Sequence, residues 1–347
     1  MAGTWTSQNK ILPGAYINFR TNAPLSITPG ERGTVVLLQE MSLGSAGDIY
    51  AATVRGDDYP AGVTDQEKQL ASEALKGAKT VLIYNLGTEH TESTVDNALA
   101  KLMTVDFNTL VYPYDGVSLL QIKDKIKAFI EIMRNEEGRS IQAVLANYKA
   151  DNEAIINVTQ GLTLSNGISL TPAECTAWVG GITAGASISQ SNTNKVYPGA
   201  IDVVPRMTKT EMEEAILAGE FIFKVDTAQN VTALYDINSL TSVTVEKGPL
   251  FKKNRVIRVL DGINNDIVQI FDSNYKGKIN NNAEGRSLLR ATLIEYFNEL
   301  QRLQAIQNFA TEDVVILPGH DKDSIVTECL IQPVDSIEKM YITVNLS

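Results

Sequence analysis

The stretch from Thr80 to Val158 constrains the fold most, because four short apolar runs alternate there with amphipathic segments. Val81-Leu82-Ile83-Tyr84 reads as a buried strand, and Thr94–Met103 as a helix with Val95, Leu99 and Leu102 at helical spacing. Thr109-Leu110-Val111-Tyr112 is a second strand, stopped by Pro113. A longer helix, Val117–Arg134, carries Leu119, Ile122, Ile126, Phe129, Ile130 and Met133 on one face. Ile141–Leu145 and Ala154–Val158 complete the strand set. Apolar strands separated by helices predict a partly parallel sheet covered on both faces. Thr34–Leu38 adds one more strand upstream, and a helical stretch lies near Asp65–Leu75.

Beyond this region the pattern changes. Thr171-Pro172-Ala173-Glu174 is a helix start, with Thr171 as cap, Pro172 at the first helical position and Glu174 closing the box. That helix runs into Gly180-Gly181, followed by a polar loop from Ser187 to Asn194. Val196–Val204 is extended, Thr210–Leu217 is a short helix, and Phe221–Val225 pairs with Val231–Tyr235 as a hairpin. After Asp236 two long amphipathic helices follow, Arg255–Phe271 and Arg286–Ile306, then extended segments at Asp313–Leu317 and Ser324–Val334.

Both ends carry strand patterning. Ala15, Ile17 and Phe19 alternate with Tyr16 and Asn18, and Ile342, Val344 and Leu346 alternate with Tyr341, Thr343 and Asn345. Termini fray unless tied down, so strand-patterned ends predict pairing with another subunit's sheet.

A net charge of −11 argues against a binder that tracks phosphates, whose affinity comes from clustered Lys and Arg. No run approaches the ~18 apolar residues of a membrane span, and the first residues lack a basic start followed by an apolar stretch. The expectation is therefore synthesis and assembly in a cytoplasm, with no nucleic acid partner and no membrane insertion. The two cysteines, Cys175 and Cys329, read as free thiols, with one long-range disulfide as the alternative.

Candidate chemistry is sparse. No phosphate-binding loop and no nucleophile elbow occurs; Gly185-Ala186-Ser187 departs from the elbow pattern. His90 lies in polar Thr88-Glu89-His90-Thr91-Glu92. His320, Asp321 and Asp323 form either a solvated turn or a metal cluster. Asp261 and Asp266 share a helix but point roughly 140° apart, at about 100° per residue, so they form no carboxylate pair. Lys247, Lys252, Lys253, Arg255 and Arg258, and then Arg286, Arg290 and Arg302, are basic clusters in an acidic chain. They read either as pairing within the chain or as docking to an acidic partner. The expectation is no catalytic, cofactor or metal site.

Several segments in order resemble the contractile phage tail sheath family, in its compact form from Gram-positive myophages and phage-tail-like bacteriocins. They are Leu12–Phe19; Ala184-Gly185 through Ser191–Lys195 and Tyr197–Ala200; Arg258–Asp261 with Asn265–Ile267; Tyr275–Lys278 with Asn281-Asn282; and Ile331–Tyr341. The resemblance implies a fold of α/β plus α+β type: a subtilisin-like α/β central domain without catalytic machinery, a C-terminal α+β sheath domain, and extended strand-forming terminal arms. The expected division is residues 1–22 as N-terminal linking arm, 23–236 as α/β domain, 237–334 as C-terminal domain and 335–347 as C-terminal linking arm. It implies a homo-oligomer of hexameric rings in a helical lattice, around a tail tube protein and joined to a baseplate. The subunit is then assembled in the host cytoplasm and carried in the released virion or bacteriocin particle. The arm strands are expected at Ala15, Tyr16, Ile17, Asn18, Phe19 and at Tyr341, Ile342, Thr343, Val344, Asn345, Leu346, with tube contacts at Arg286, Arg290 and Arg302. The chain is short for the outer domains of larger relatives. A tube or baseplate subunit and an α/β hydrolase are the alternative readings.

Overall fold

The computed structural model describes residues 29–30 and 32–346; the expected arm strand Ala15–Phe19 lies outside them. The chain begins with β1 (Thr34–Gln39), β2 (Ile49–Thr53) and β3 (Gly56–Asp57), then α1 (Asp65–Leu75), β4 (Thr80–Asn85), α2 (Glu92–Leu102) and β5 (Thr109–Tyr112). After one 3-10 turn come α3 (Leu120–Asn135), β6 (Gln142–Ala146), β7 (Ile155–Val158), β8 (Gly161–Leu164), β9 (Ser169–Leu170), α4 (Pro172–Gly185) and β10 (Ala200–Val204). They are followed by α5 (Lys209–Leu217), β11 (Glu220–Phe221), β12 (Phe223–Val225) and β13 (Val231–Ala233). The last elements are α6 (Asn254–Asn274), α7 (Ala283–Arg302), β14 (Val314–Pro318) and β15 (Ile325–Cys329).

The main sheet has the order β11-β7-β6-β5-β1-β4-β2-β3. β11, β7, β6, β5, β1 and β4 run parallel, while β2 and β3 form an antiparallel edge. Alternation along β1 shows how both faces are covered. Val35 and Leu37 join Trp178, Ile182 and Ala74 of α4 and α1. Val36 and Leu38 join Val95, Ile122 and Ile130 of α2 and α3. This is the two-sided sheet that the apolar strand runs predict.

A second core gathers Val259, Ile263 and Ile270 of α6, Leu293, Tyr296 and Phe297 of α7, and Val314 of β14. Ile188, from the loop after α4, reaches into it. Gly262 leaves the room, since a Cβ there would stand 2.9 Å from Ile188 Cδ1. Helix α6 is buried on more than one side because the α/β unit and α7 both pack on it, so its core positions are not the single stripe expected. Phe271, the last residue of the amphipathic helix read from the sequence, is exposed.

Three boundaries differ from expectation. α7 starts at Ala283 because Asn282 caps it, its Oδ1 accepting from Gly285 N at 2.8 Å. It ends at Arg302 because Gln304 takes the left-handed conformation, φ +58°. α4 continues through Gly180-Gly181 to Gly185 rather than stopping there.

Candidate assembly interface

The most enzyme-like cluster is structural. His90 sits in the loop between β4 and α2, with its side chain 6% exposed. Its Nδ1 lies 2.8 Å from Glu40 Oε1, and its Nε2 2.6 Å from the Tyr112 hydroxyl. A carboxylate only accepts, so Nδ1 carries the proton and Nε2 accepts from Tyr112. Burial pushes the Tyr112 phenol well above its ordinary value. The loop around His90 is polar and exposed as expected, but the His90 side chain itself turns inward as a tie. Ser187 is exposed and lines a cleft of about 890 Å³ with Gly30, Thr34 and Asn108. Those residues mark the N-terminal ends of β1 and β5, whereas Glu40 and Tyr112 mark the C-terminal ends. Strands of this length, at roughly 3.3 Å per residue, keep Ser187 and His90 apart. His320, Asp321 and Asp323 lie in the exposed turn between β14 and β15.

The first basic cluster does not form a free docking surface. Arg258 is fully buried, donating through Nη1 to Gln190 O at 2.6 Å and facing Asp236 at 3.5 Å. Lys247 pairs with Glu153 at 2.6 Å, Lys252 donates to Thr241 O at 2.9 Å, and Arg255 to Gln304 O at 3.3 Å. Lys253 pairs with Glu338 and, at 3.3 Å, with Asp335. A buried guanidinium is tolerated only when partnered, which accounts for the inward bonds of Arg255 and Arg258, while Lys247 pairs at an exposed position. Asp261 and Asp266 do diverge: Asp261 meets Arg134 of α3 at 2.8 Å, and Asp266 accepts from the Tyr296 hydroxyl of α7 at 2.6 Å. Both are buried, which their spacing alone could not reveal.

The α7 arginines differ from one another. Arg286 is half-buried and donates to Asn281 Oδ1 at 2.9 Å. Arg290 braces the chain, donating from Nε to Val314 O at 2.8 Å and from Nη2 to Thr311 O. Arg302 is exposed and pairs with Glu299 through Nε at 2.7 Å.

The C-terminal tail is clasped and then released. Glu338 accepts from Lys253, from Thr193 Oγ1 at 2.7 Å and from Ser336 Oγ at 3.0 Å. Burial works against its ionisation, but the bonds from Lys253 and Thr193 outweigh it and hold the carboxyl below its ordinary range. Past this clasp Tyr341 is 91% exposed and Leu346 95%, and residues 341–346 enter no strand pairing among the described residues.

The hairpin β14–β15 is short of strands. Asp313 with Leu330, and Gly319 with Ser324, carry its backbone bonds, so Ile325, Thr327 and Cys329 turn their N–H and C=O to the outer edge of β15. On the other edge Val314 O is taken by Arg290 and Pro318 has no N–H. Val315, Leu317 and Val326 are exposed on the outer face.

The described residues therefore hold a two-stranded sheet whose β15 backbone groups face outward, and a clasped tail of strand pattern. Residues 87–239 match the phage tail sheath protein central domain, and residues 246–347 the phage tail sheath C-terminal domain. The chain belongs to the phage tail sheath family. It superposes on the crystal structure of the sheath tail protein from Desulfitobacterium hafniense with a TM-score of 0.82 and 33% identity, covering 95% of this chain and 99% of that one. The contracted helical sheath of the anti-feeding prophage shares the fold, with a TM-score of 0.72 at 15% identity over 97% and 99%. The phage-like element PBSX protein XkdK of Bacillus subtilis is 34% identical over 82% of this chain. The chain spans 63% of the length of XkdK and 58% of that of a second B. subtilis relative, YqbK.

Proposed function

We propose that this chain is a tail sheath subunit that polymerises as stacked hexameric rings around a tail tube and contracts to drive the tube through a target cell envelope. The observation that carries this is the pairing of supply and demand within one chain. Residues 341–346 leave a fixed root as an exposed strand pattern, and β15 offers an open edge of three residues. A neighbour's arm laid on that edge satisfies backbone groups worth about 0.5–1.5 kcal/mol net each. In this reading residues 1–22 and 335–347 are linking arms, 23–236 a non-catalytic α/β unit of subtilisin-like topology, and 237–334 the unit that faces the tube. Ala15–Phe19 is the partner strand of the N-terminal arm. Arg286, Arg290 and Arg302 face the tube protein, and the end of the polymer meets a baseplate. Assembly takes place in the host cytoplasm before release of the particle.

The test is truncation. Chains lacking Met1–Thr21 or Met340–Ser347 are expected to remain folded monomers by circular dichroism and sedimentation, and to build no cylinders by electron microscopy. Normal cylinders from either truncation overturn the reading.

A further inference from the structure

The first described residues and the C-terminal tail are fastened to the same helix. At the C-terminal root, Lys253 is the cap residue of α6, and its ammonium holds Glu338 and Asp335 while lying 4.1 Å from the centre of the Tyr235 ring. The side chains of Lys253 and Glu338 are largely withdrawn from water, so this pair is screened far less than a surface pair. At the N-terminal root, Asp266 Oδ1 accepts from Gly30 N at 2.9 Å while its Oδ2 accepts from Tyr296. The residue at position 30 has to be small, because a Cβ there would stand 2.8 Å from Asp266 Oδ1. The two clasps are separated along α6 by about 20 Å, at ~1.5 Å per residue. Between them the helix is bolted to the α/β unit by Arg134–Asp261 at 2.8 Å and by a two-way bond, Ser140 N to Asn265 Oδ1 at 2.8 Å and Asn265 Nδ2 to Ser140 O at 2.9 Å.

We propose that α6 is the common mount of both arms, holding Gly30 and Glu338 in fixed relation so that each arm leaves the subunit already aimed at its neighbour. This rests on the reading that the arms link subunits. A fixed root spares the ordering of several residues on each pairing event, which lowers the cost of association.

The experiment uses the full chain with Glu338→Ala, Gly30→Ala and the double variant, and measures hydrogen exchange in the monomer and the critical concentration for cylinders. Glu338→Ala is expected to speed exchange around residues 335–340 and leave 29–33 unchanged; Gly30→Ala is expected to do the reverse. Each raises the critical concentration about tenfold and the double variant about a hundredfold, since distant sites add in free energy. Cylinders that do form are expected to vary in helical twist. Wild-type critical concentrations and uniform twist in the double variant, with exchange at both roots accelerated, overturn the proposal. Glu338→Gln, which retains the shape and loses the charge, keeps the test readable if Glu338→Ala fails to fold, and is expected to show a smaller rise. The Met340–Ser347 truncation separates the two levels. If it polymerises normally the arm reading itself is wrong; if it does not polymerise while Glu338→Ala does so normally, only the role of α6 is wrong.

Discussion

His90 is held from both sides, by a carboxylate and a phenol brought in by two neighbouring strand ends. Replacing it with alanine leaves the hydroxyl of the buried Tyr112 without this partner, which costs about 1–3 kcal/mol. Chemical denaturation of His90→Ala is expected to read that loss; unchanged stability would show that the tie is absent. Nothing in Thr88–Glu92 announces this, because Glu40 lies in a distant part of the chain and meets His90 only once β1 and β4 have paired. Glu67 is more legible. It stands three residues after Thr64 ahead of a helical pattern, and it closes the cap of α1 while also accepting from Ser42. The bonds from the Ser42 N–H and hydroxyl, followed by that from the Thr64 N–H, draw its carboxyl down from 4.5 to about 2. A value lower in the fold than in the open chain means a contribution present above the ordinary range, and lost as pH falls from about 4.5 towards about 2. Glu67→Gln is expected to be less stable than the parent at neutral pH, with the gap closing across that window in acid titrations followed by circular dichroism.

Helix starts were written plainly at the level of elements. Thr64, Thr91, Thr171 and Thr208 each cap a helix and receive a bond back from the residue three positions on. Three of these, Thr64, Thr171 and Thr208, have a glutamate three positions on, the pattern read at Thr171, where a proline also stands; Thr91 is answered by Thr94 instead. Helix ends were harder to read. Gly180-Gly181 resembles a stop, yet these glycines lie within α4, where the Val111 side chain crowds Gly180 and backbone comes too close to Gly181 for a side chain. A Cβ at Gly181 would stand 2.1 Å from Ala74 O of α1, and one at Gly185 would stand 1.8 Å from Gly77 O. The four-residue spacing of Gly181 and Gly185 places both on one helix face, which is the face laid against α1. Gly181→Ala gains about 1 kcal/mol of helix propensity. Forcing α1 and α4 apart costs about 1–3 kcal/mol or more. The expected net result is a lower denaturation midpoint with an unchanged denaturant slope. A stabilised Gly181→Ala would show that the two helices do not touch backbone to backbone. The end of α7 illustrates the converse: its apolar spacing runs on to Ile306, but Ala305 and Ile306 reach the core from a turn, after Gln304 has broken the helix.

For the whole molecule, the sequence showed the α/β sheet and the strand pattern of the ends, since both are periodic. It did not show that the first basic cluster is consumed inside the subunit, because its partners come from other elements: Asp236, Glu153 and Glu338. Of the α7 arginines, Arg302 is exposed and Arg286 half-buried. Arg290 is committed to the backbone of β14, so reversing its charge would damage the subunit as well as any contact. Arg286 and Arg302 are the cleaner probes. A sheath has to hold its tube during assembly and release it on contraction. Many weak, screened contacts repeated along a polymer suit that better than one tight apolar interface. The double variant Arg286→Glu/Arg302→Glu is expected to keep its fold and form empty cylinders normally, but to sheathe purified tubes in lower yield. The deficit should be greatest at low salt and shrink as ionic strength rises, because the Debye length falls from about 30 Å at 0.01 M to about 3 Å at 1 M. Electron microscopy of sheathed against bare tubes across a salt series measures it. Equal sheathing by parent and variant at every salt concentration would remove α7 from the tube contact, and an equal loss of empty cylinders would move these arginines to the contacts between subunits.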